Sequence, residues 1–367
     1  MTPTTEQELA VLVANANGPL RISGGGTRPI GRPVAGENLT TSGLSGITLY
    51  DPGALTIVAQ SGTPLAEIEK ALKAENQRLA FEPMDHRALL GTTGTPTIGG
   101  VVAGNISGPR RIAVGACRDF LLGVRFVDGK GQIIKNGGRV MKNVTGYDLV
   151  KLMSGAHGTL GILTEVAFKV LPDVESSATL TLANLDDATA IKAMSAALGS
   201  PFDVTGAART TTGDTLLRIE GFKGSVAYRA EQLQKQLSAF GQATVTEDAA
   251  NLWQDIRDVT AFAQTKGDVW RISVRPSHAA SLAAEIDAKQ LQYDWGGGLI
   301  WALVPEGTDV RAALGDFQGH ATLIRASDET RTSITPFQPE PAPLAALSAG
   351  LRAKFDPRGI LNAGLMT

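Results

Sequence analysis

The chain has 367 residues, of which 43% are hydrophobic and 19% charged, and its formal net charge is -2. This length predicts two domains, and the near-neutral charge argues against nucleic acid or an anionic membrane surface as a partner. The single cysteine, Cys117, excludes an internal disulfide and an iron–sulfur cluster that the chain would bind with four thiolates of its own.

The N-terminal sequence MTPTTEQELAVL lacks the basic and then apolar order of a secretory signal peptide. No segment approaches the roughly 20 apolar residues that a membrane-spanning helix needs. We therefore expect a cytoplasmic protein without direct membrane insertion, which reaches a membrane only through partner proteins.

Short helices and strands alternate over the first 172 residues. Thr5 and Glu8 have the spacing of a capping box, which predicts a helix to about residue 16. Pro64 suits the first position of an amphipathic helix that extends to residue 76. Strands are predicted at residues 20–23, 46–50, 55–59, 121–127, 132–135 and 163–170, with further helices at 100–105 and 147–153.

The glycine density falls after residue 172, and two strand–helix–strand passages follow. Their strands are predicted near residues 178–182, 216–220, 269–274 and 299–304. The proline-rich segment TPFQPEPAP at 335–343 predicts an extended crossover before a last helix at 344–354. The resulting prediction is an α+β protein with a first domain at 1–172, a second at 173–334 and a C-terminal segment at 335–367 that returns to the first.

A glycine run follows the first predicted strand. Successive amide groups of Gly24, Gly25, Gly26 and Thr27 can point into one concavity and hold a phosphate. No Gly-Lys-Ser/Thr sequence and no obvious helix follow, so the run is neither a Walker A loop nor a Rossmann fingerprint. On the run alone, a plain turn is as good an interpretation as a phosphate site.

The ordered set of motifs is more specific. SGGGT, TIGG with Asn105, SGPRR, CRDFLLG, MKNVTGYDLVKL and GTLGILTEV, with FDPRGILN near the C-terminus, together resemble the vanillyl alcohol oxidase or p-cresol methylhydroxylase type of FAD-binding proteins. Within that family the motifs are most similar to those of FAD-binding subunits of bacterial glycolate oxidases. The resemblance implies a two-part FAD-binding domain with a smaller α+β cap domain.

The resemblance also implies a set of FAD contacts. The pyrophosphate would lie against the glycine run, where amides at the start of a helix near Gly100 would add a favourable dipole and the glycines would permit close approach. The loop SGGGTRPIGRP contains no histidine, so we expect noncovalent FAD, with Arg28 and Arg32 available to compensate phosphate charge. The implied cofactor-binding residues are Gly24, Gly25, Gly26, Thr27, Ile98, Gly99, Gly100, Ala103, Asn105, Gly108, Gly161, Ile162 and Asn362.

Catalytic residues are harder to assign. The motif HGDGN of active hydroxy-acid members is absent, and the four histidines have no metal-binding spacing, so no metal is expected. His320, Arg325 and Arg257 are weak catalytic candidates, and strand alternation is expected to place His320 and Arg325 on opposite faces. Residues 293–298, YDWGGG, have the pattern of an aromatic turn over the site or of an ordinary strand connection.

The resemblance predicts an FAD-binding subunit of a multisubunit glycolate oxidase or dehydrogenase. It would work in electron relay or assembly beside a catalytic FAD subunit and an iron–sulfur subunit, and the complex would act on a small 2-hydroxy acid such as glycolate. Two alternatives stay open: a self-sufficient FAD-dependent dehydrogenase of a hydroxy acid or sugar lactone, and a structural subunit whose flavin does not turn over.

Overall fold

The computed structural model describes residues 1–139 and 146–367. Part of the motif MKNVTGYDLVKL lies outside these residues. The helices are α1 Glu6–Ala14, α2 Leu65–Ala74, α3 Arg87–Leu90, α4 Ile98–Ala103, α5 Arg111–Val114, α6 Cys117–Phe120, α7 Leu149–Met153, α8 Asp187–Leu198, α9 Lys223–Gln236, α10 Ala250–Asp258, α11 Pro276–Ala284, α12 Val310–Leu314, α13 Asp328–Ser333 and α14 Ala342–Phe355. No described helix is both long enough and apolar enough to span a bilayer.

The strands are β1 Leu20–Ser23, β2 Glu37–Thr40, β3 Ile47–Asp51, β4 Thr56–Gln60, β5 Gln77–Arg78, β6 Leu121–Val127, β7 Ile133–Gly137, β8 Ile162–Lys169, β9 Leu171–Pro172, β10 Ser176–Leu182, β11 Val204–Arg209, β12 Thr215–Gly221, β13 Thr244–Glu247, β14 Asp268–Val274, β15 Gln290–Asp294, β16 Leu299–Val304 and β17 Gly319–Arg325. The mixture of helices and strands confirms the predicted α+β class.

Strands from the first part of the chain form a five-stranded antiparallel sheet in the order β3-β4-β8-β6-β7. The three inner strands, β4, β8 and β6, are mostly buried, and α2, α4 and α7 contribute to the same core. A separate parallel pair, β1 and β2, leads directly into the glycine run. The first half of the chain therefore presents that run at the end of an ordered strand.

The C-terminal segment packs on this first part of the chain. Leu361 bridges Leu20 in the parallel direction, which adds the tail to the β1–β2 pair. The guanidinium group of Arg358 donates hydrogen bonds to carbonyl oxygens at the end of α1, including those of Ala14 and Ala16. These contacts bring Asn362 beside the glycine run.

Strands β10 to β17 form an eight-stranded antiparallel sheet in the order β13-β10-β12-β11-β15-β16-β14-β17. One face is covered by α8, α9 and α11. The other face packs against the first part of the chain, where Ile30, Met84 and Leu89 contact side chains of β14 and β16. The division at residues 172 and 334 into separately folding units stays a prediction.

Buried ion pairs cross the same interface. Arg218 of β12 binds Glu82 at 2.9 Å, and Glu220 of the same strand binds Arg78 at 2.8 Å and also Arg110. Burial alone would raise the pKa of Glu220, but Arg218, Arg110 and Arg78 together lower it to about 2. Since a buried ion pair that loses one partner leaves an uncompensated charge, this network ties the two parts together.

Candidate functional site

A cleft of about 500 Å³ lies between the glycine run, α4 and the C-terminal tail. A smaller cavity of about 70 Å³ adjoins it, and the two share Ile22, Ser23, Gly24, Ala103, His157 and Asn362. Ten of the residues predicted to bind the cofactor line one or both cavities: Gly24, Gly25, Gly26, Thr27, Gly99, Gly100, Ala103, Gly161, Ile162 and Asn362. The fold therefore brings these residues, which are distant in the sequence, together in one site.

The glycine run presents its backbone donors to this cleft. The amide nitrogens of Gly24, Gly25, Gly26 and Thr27 have no acceptor among the described residues. The carbonyl oxygens of the run are held instead: Thr40 Oγ1 donates to that of Gly24 at 2.8 Å, and Thr92 Oγ1 donates to that of Thr27 at 3.1 Å. Successive free amides in a fixed concavity form an anion site.

Gly25 and Gly26 of the run are glycines for different physical reasons. A Cβ on Gly25 would lie 1.6 Å from the carbonyl oxygen of Thr95, so this glycine lets two backbone segments touch. Gly26 has φ +71°, and a Cβ there would meet no protein atom within 4 Å. Packing within the protein therefore already requires glycine at position 25, in addition to any approach of a cofactor.

The start of α4 does not offer the free amides that the sequence suggested. The amide of Ile98 donates to the carbonyl oxygen of Thr63 at 3.0 Å, and that of Gly99 donates to the carbonyl oxygen of Ser61 at 2.8 Å. The amide of Gly100 donates to Thr97 Oγ1 at 3.3 Å. The helix contributes a wall to the cleft, while the donors come from the glycine run.

Two arginines flank the run. Arg28 Nε donates to His86 Nδ1 at 3.2 Å, and a Cβ on Gly100 would lie 3.1 Å from Arg28 Nη1. Burial lowers the pKa of Arg28 to about 10, and Arg28 forms no ion pair with a described residue. Arg32 Nη2 donates to Thr335 Oγ1 at 3.0 Å, while its buried Nε has no partner among the described residues. Both side chains can therefore compensate a bound anion.

His157 lines both cavities, and sequence reasoning gave it no role. Its backbone has φ +49°, and its ring meets the edge of Phe337 with 5.0 Å between ring centroids. Burial lowers the pKa of His157 to about 4, so the imidazole is neutral at physiological pH. The positive φ of His157, a conformation that usually favours glycine or asparagine, marks this residue only in the structure, because a sequence does not show backbone angles.

Asn362 lines the cleft, but its carboxamide is occupied by the protein. Its Oδ1 accepts from the amide of Ile22 at 2.7 Å, and its Nδ2 donates to the carbonyl oxygens of Ile22 at 3.3 Å and His157 at 2.9 Å. The side chain therefore joins the tail, β1 and the loop before β8 at the cleft wall. A direct contact with a flavin stays a prediction.

Three other predicted cofactor contacts lie outside the two cavities. Ile98 is buried in the core of the first sheet. Asn105 Oδ1 accepts from the amide of Arg118 at 3.1 Å, and its backbone has φ +47°. Gly108 lies at the interface with the second sheet, where a Cβ would come within 2.3 Å of the carbonyl oxygen of Glu82. Their local roles in packing and turns account for these residue types.

Two of the weak catalytic candidates are engaged in structural contacts. Arg257 binds Asp258 with two hydrogen bonds of 2.8 Å. The Arg325 guanidinium donates to four main-chain carbonyl oxygens, among them that of Leu89 at 3.1 Å. Neither arginine lines the cleft. These contacts support structural roles rather than catalysis, and that of Arg325 with Leu89 joins the two parts of the chain.

His320 lies on the face of β17 that is directed towards the first part of the chain, paired with Ser273 of β14. Burial lowers the pKa of His320, and the charges of Arg271 and Arg111 lower it further. A bulge in the β14–β17 pairing places Arg325 opposite Val269, a residue of the interdomain core. The expectation that His320 and Arg325 lie on opposite faces is therefore wrong, because the bulge breaks the alternation.

Comparison with known proteins gives this cleft a context. A family model described as an FAD binding domain matches residues 1–137. The chain is 36% identical over 351 residues to the glycolate oxidase subunit GlcE of Escherichia coli, covering 95% of this chain and 92% of that protein. The chain belongs to the family of FAD-binding oxidoreductases that includes this subunit. The resemblance inferred from the motifs is confirmed.

Other relatives match shorter parts of the chain. The glycolate oxidase subunit GlcD of Bacillus subtilis is 34% identical over 156 residues, which is 42% of this chain and 31% of that protein. A D-lactate dehydrogenase of Anaerostipes hadrus is 34% identical over 195 residues, 52% of this chain and 39% of that protein. A solved alkyldihydroxyacetonephosphate synthase superposes with a TM-score of 0.70 at 16% identity, covering 99% of this chain and 76% of that chain, and so shares the fold.

The residues present fit FAD, the cofactor of this family. Its pyrophosphate is a dianion, and the glycine run supplies four amide donors that have no acceptor among the described residues, while Arg28 and Arg32 line the same cleft. The adjoining small cavity, bounded by Gly161 and Ile162, continues the cleft towards the first sheet. FAD supplies the two-electron chemistry when it is bound, and the residues of the chain bind and orient it.

Proposed function

We propose that this chain is the FAD-binding subunit of a multisubunit oxidase or dehydrogenase of glycolate or a related small 2-hydroxy acid. The observation that carries the proposal is the 36% identity to GlcE over almost the whole of both proteins, combined with an intact anion-binding run at the cleft. A catalytic FAD subunit and an iron–sulfur subunit are the partners that we propose.

The chain's own residues support a role in holding FAD more than a role in substrate oxidation. Gly24, Gly25, Gly26 and Thr27 bind the pyrophosphate through main-chain amides, and Arg28 adds a charge that forms no direct ion pair with a described carboxylate, although Asp85 acts on it at longer range. The histidine that lines the cleft, His157, is a poor candidate for a catalytic base. Burial lowers its pKa to about 4, which makes its neutral imidazole a weak base. We therefore propose electron relay or assembly as its contribution.

Partners follow from the electron balance. Two electrons that reach the flavin have to leave it, and one cysteine cannot ligate a four-thiolate cluster within the chain. An iron–sulfur subunit of the same complex is therefore our proposed acceptor. The proposed cellular place is the cytoplasm, with any membrane association provided by the partners.

A self-sufficient dehydrogenase is the second candidate, because about half of the chain is also similar to D-lactate dehydrogenases. The absence of the HGDGN motif weighs against it. In this case the purified chain would oxidise the substrate without any partner.

Flavin spectra under anaerobic conditions distinguish the two candidates. We expect the purified chain to contain FAD whose absorbance glycolate or D-lactate does not bleach, and the chain in its complete complex to show activity with glycolate. Turnover by the isolated chain at ordinary enzyme rates, on the order of 1 to 10³ per second, would overturn the proposal in favour of the second candidate. A native chain that contains no flavin would overturn both.

A further inference from the structure

Two arginines without counter-ions lie against one indole at the interface between the two sheets. The guanidinium carbon of Arg111, from α5, lies 4.5 Å from the ring centroid of Trp295, and that of Arg271, from β14, lies 5.0 Å from it. Neither guanidinium forms a hydrogen bond or an ion pair with a described residue. Each cation is attracted to the electron-rich ring, but an aromatic ring does not neutralise two positive charges.

Arg110, the residue before Arg111, is an example of a buried arginine with a structural role. Arg110 is buried and paired with Glu220, whereas Arg111, the next residue, has no carboxylate partner among the described residues. The carboxyl group whose charge acts most directly on Arg271 is that of Asp294. Burial raises the pKa of Asp294 to about 7, and its Oδ1 accepts from the amide of Trp295 at 2.7 Å, so it compensates Arg271 only partly.

The charges of the two arginines oppose each other. Burial, and then the charge of Arg111, lowers the pKa of Arg271 to about 10. His320 lies on the adjacent strand, and both arginines lower its pKa as well. Arg271 as a whole is partly exposed, and its guanidinium lies in the interface between the two parts of the chain. A bound anion would remove the repulsion between the two guanidinium groups.

Trp295 is held in a costly conformation at this point. It has φ +54°, a region that bulky side chains rarely occupy. Its Nε1 donates to the carbonyl oxygen of Gly108 at 3.1 Å, and its ring is buried in the interdomain core. Backbone strain of this kind is concentrated at ligand-binding sites, where it positions a side chain that the ligand requires.

The cluster adjoins the FAD cleft. Arg28, which lines the cleft, donates to His86, and the charge of Arg271 lowers the pKa of the same histidine. Ile30 and Ile106 line the cleft and also pack against the core that contains Trp295. An anion held by the two arginines would therefore lie next to the cofactor cleft and between the two parts of the chain.

We propose that Arg111 and Arg271 bind the carboxylate of a small 2-hydroxy acid, with Trp295 as the platform that holds both guanidinium groups and His320 at the rim. The choice of a carboxylate rests on the proposed function, while the anion site itself rests on the two unpaired arginines. Two guanidinium groups can supply parallel donors to the two oxygens of one carboxylate. The site would hold the acid beside the cofactor cleft in this subunit.

Calorimetric titration of the FAD-saturated full-length chain tests the proposal. We expect glycolate to bind, and ethylene glycol, which has the same hydroxyl group and no carboxylate, not to bind. Arg271→Gln and Arg111→Gln should each weaken glycolate binding by about ten- to hundredfold, the effect of losing a charge-assisted hydrogen bond. Arg275→Gln, which removes an exposed arginine just after β14, is the matched control and should bind normally.

A structural arginine would behave differently. Removing one would lower the melting temperature of the ligand-free protein, whereas removing Arg271 relieves repulsion and should leave that temperature unchanged or higher. Unaltered glycolate affinity in both cluster variants would overturn the site, and binding of inorganic phosphate in place of glycolate would overturn the carboxylate assignment. A chain that keeps its FAD and supports activity in the complex, yet binds no glycolate, would overturn this inference and leave the proposed function intact.

Discussion

Replacing Gly25 by alanine should nearly abolish FAD binding. The added Cβ would lie 1.6 Å from the carbonyl oxygen of Thr95, whereas ordinary contact begins at 3.4 Å, so the backbone segments have to separate by 1.8 Å or a comparable distance. The shift would move the amides of Gly25 and Gly26 out of hydrogen-bonding range of a phosphate bound at the run.

The expected size of the loss follows from those amides. A hydrogen bond to a charged acceptor contributes about 1.5–3 kcal/mol, so two lost bonds cost about 3–6 kcal/mol, or roughly 10²- to 10⁴-fold in Kd. Gly26→Ala introduces no clash, since no protein atom lies within 4 Å, and its cost is that of a left-handed alanine, about 1–2 kcal/mol. The variants should therefore rank with Gly25→Ala far weaker than Gly26→Ala.

The assay is a titration of the deflavinated protein with FAD, followed by the quenching of flavin fluorescence, with a thermal melt of each apoprotein beside it. Gly224→Ala is the control, because Gly224 is in α9, far from the cleft in the chain, and a Cβ there meets nothing within 4 Å. Wild-type affinity in Gly25→Ala, or a weaker affinity in Gly26→Ala than in Gly25→Ala, would refute the assignment of this run as the pyrophosphate site.

Three further outcomes are expected. Acid precipitation should release all flavin into the supernatant, because the loop of the glycine run has no histidine to bond it; colour retained in the washed pellet would contradict noncovalent binding and direct attention to His157. Glu220→Gln should destabilise the protein by about 3–5 kcal/mol in denaturant titrations, since it leaves Arg110 and Arg78 buried beside a neutral group. The folded-state pKa of Glu220, about 2, is below its ordinary 4.5, so the stability that its carboxylate contributes is complete above about pH 4.5 and is lost as the pH falls towards 2. If Glu220→Gln lost stability in acid to the same extent as the wild type, this carboxylate would not be the cause of the acid sensitivity. Asn362→Ala should lower stability by about 1–3 kcal/mol and weaken FAD binding, because the tail loses its hydrogen bonds to Ile22 and His157; an unchanged thermal melt would disprove that the carboxamide fastens the tail.

Local sequence patterns determined many elements of the fold. The runs that became β1, β6 and β16 were predicted with their observed bounds. Largely apolar residues between turn signals favour strands in β6 and β16, and apolar residues alternate with polar ones in β1. Capping predicted the start of α1, where Thr5 Oγ1 accepts from the amide of Glu8 at 3.1 Å. The carboxylate of Glu8 instead accepts from the amide of Thr4 at 2.8 Å, and the helix ends at Ala14, two residues earlier than expected.

Strands without an apolar pattern were not predicted. Every residue of β13, with the sequence TVTE, is exposed, and the strand exists because β10 offers it an edge. In β11 a glycine and a bulge interrupt the alternation, and the strand is fixed by its pairing with β12. Such elements depend on hydrogen bonds to partners distant in the chain, which a local pattern does not contain.

The sequence by itself determined the family, the cofactor and the segment that carries the free amides, because these depend on residue types in a fixed order. Only the tertiary structure decided which residues of the same type have the same hydrogen-bond or ion-pair partners. The first amides of α4 donate to the carbonyl oxygens of Ser61 and Thr63, whereas the amides of the glycine run have no acceptor among the described residues. The tertiary structure paired Arg110 with Glu220 and placed Arg111, its neighbour, against Trp295 without a counter-ion. The physical reason is that hydrogen bonding and charge compensation depend on neighbours in space, and those neighbours are distant in the chain: tens of residues away for α4, and more than a hundred residues away for the two arginines.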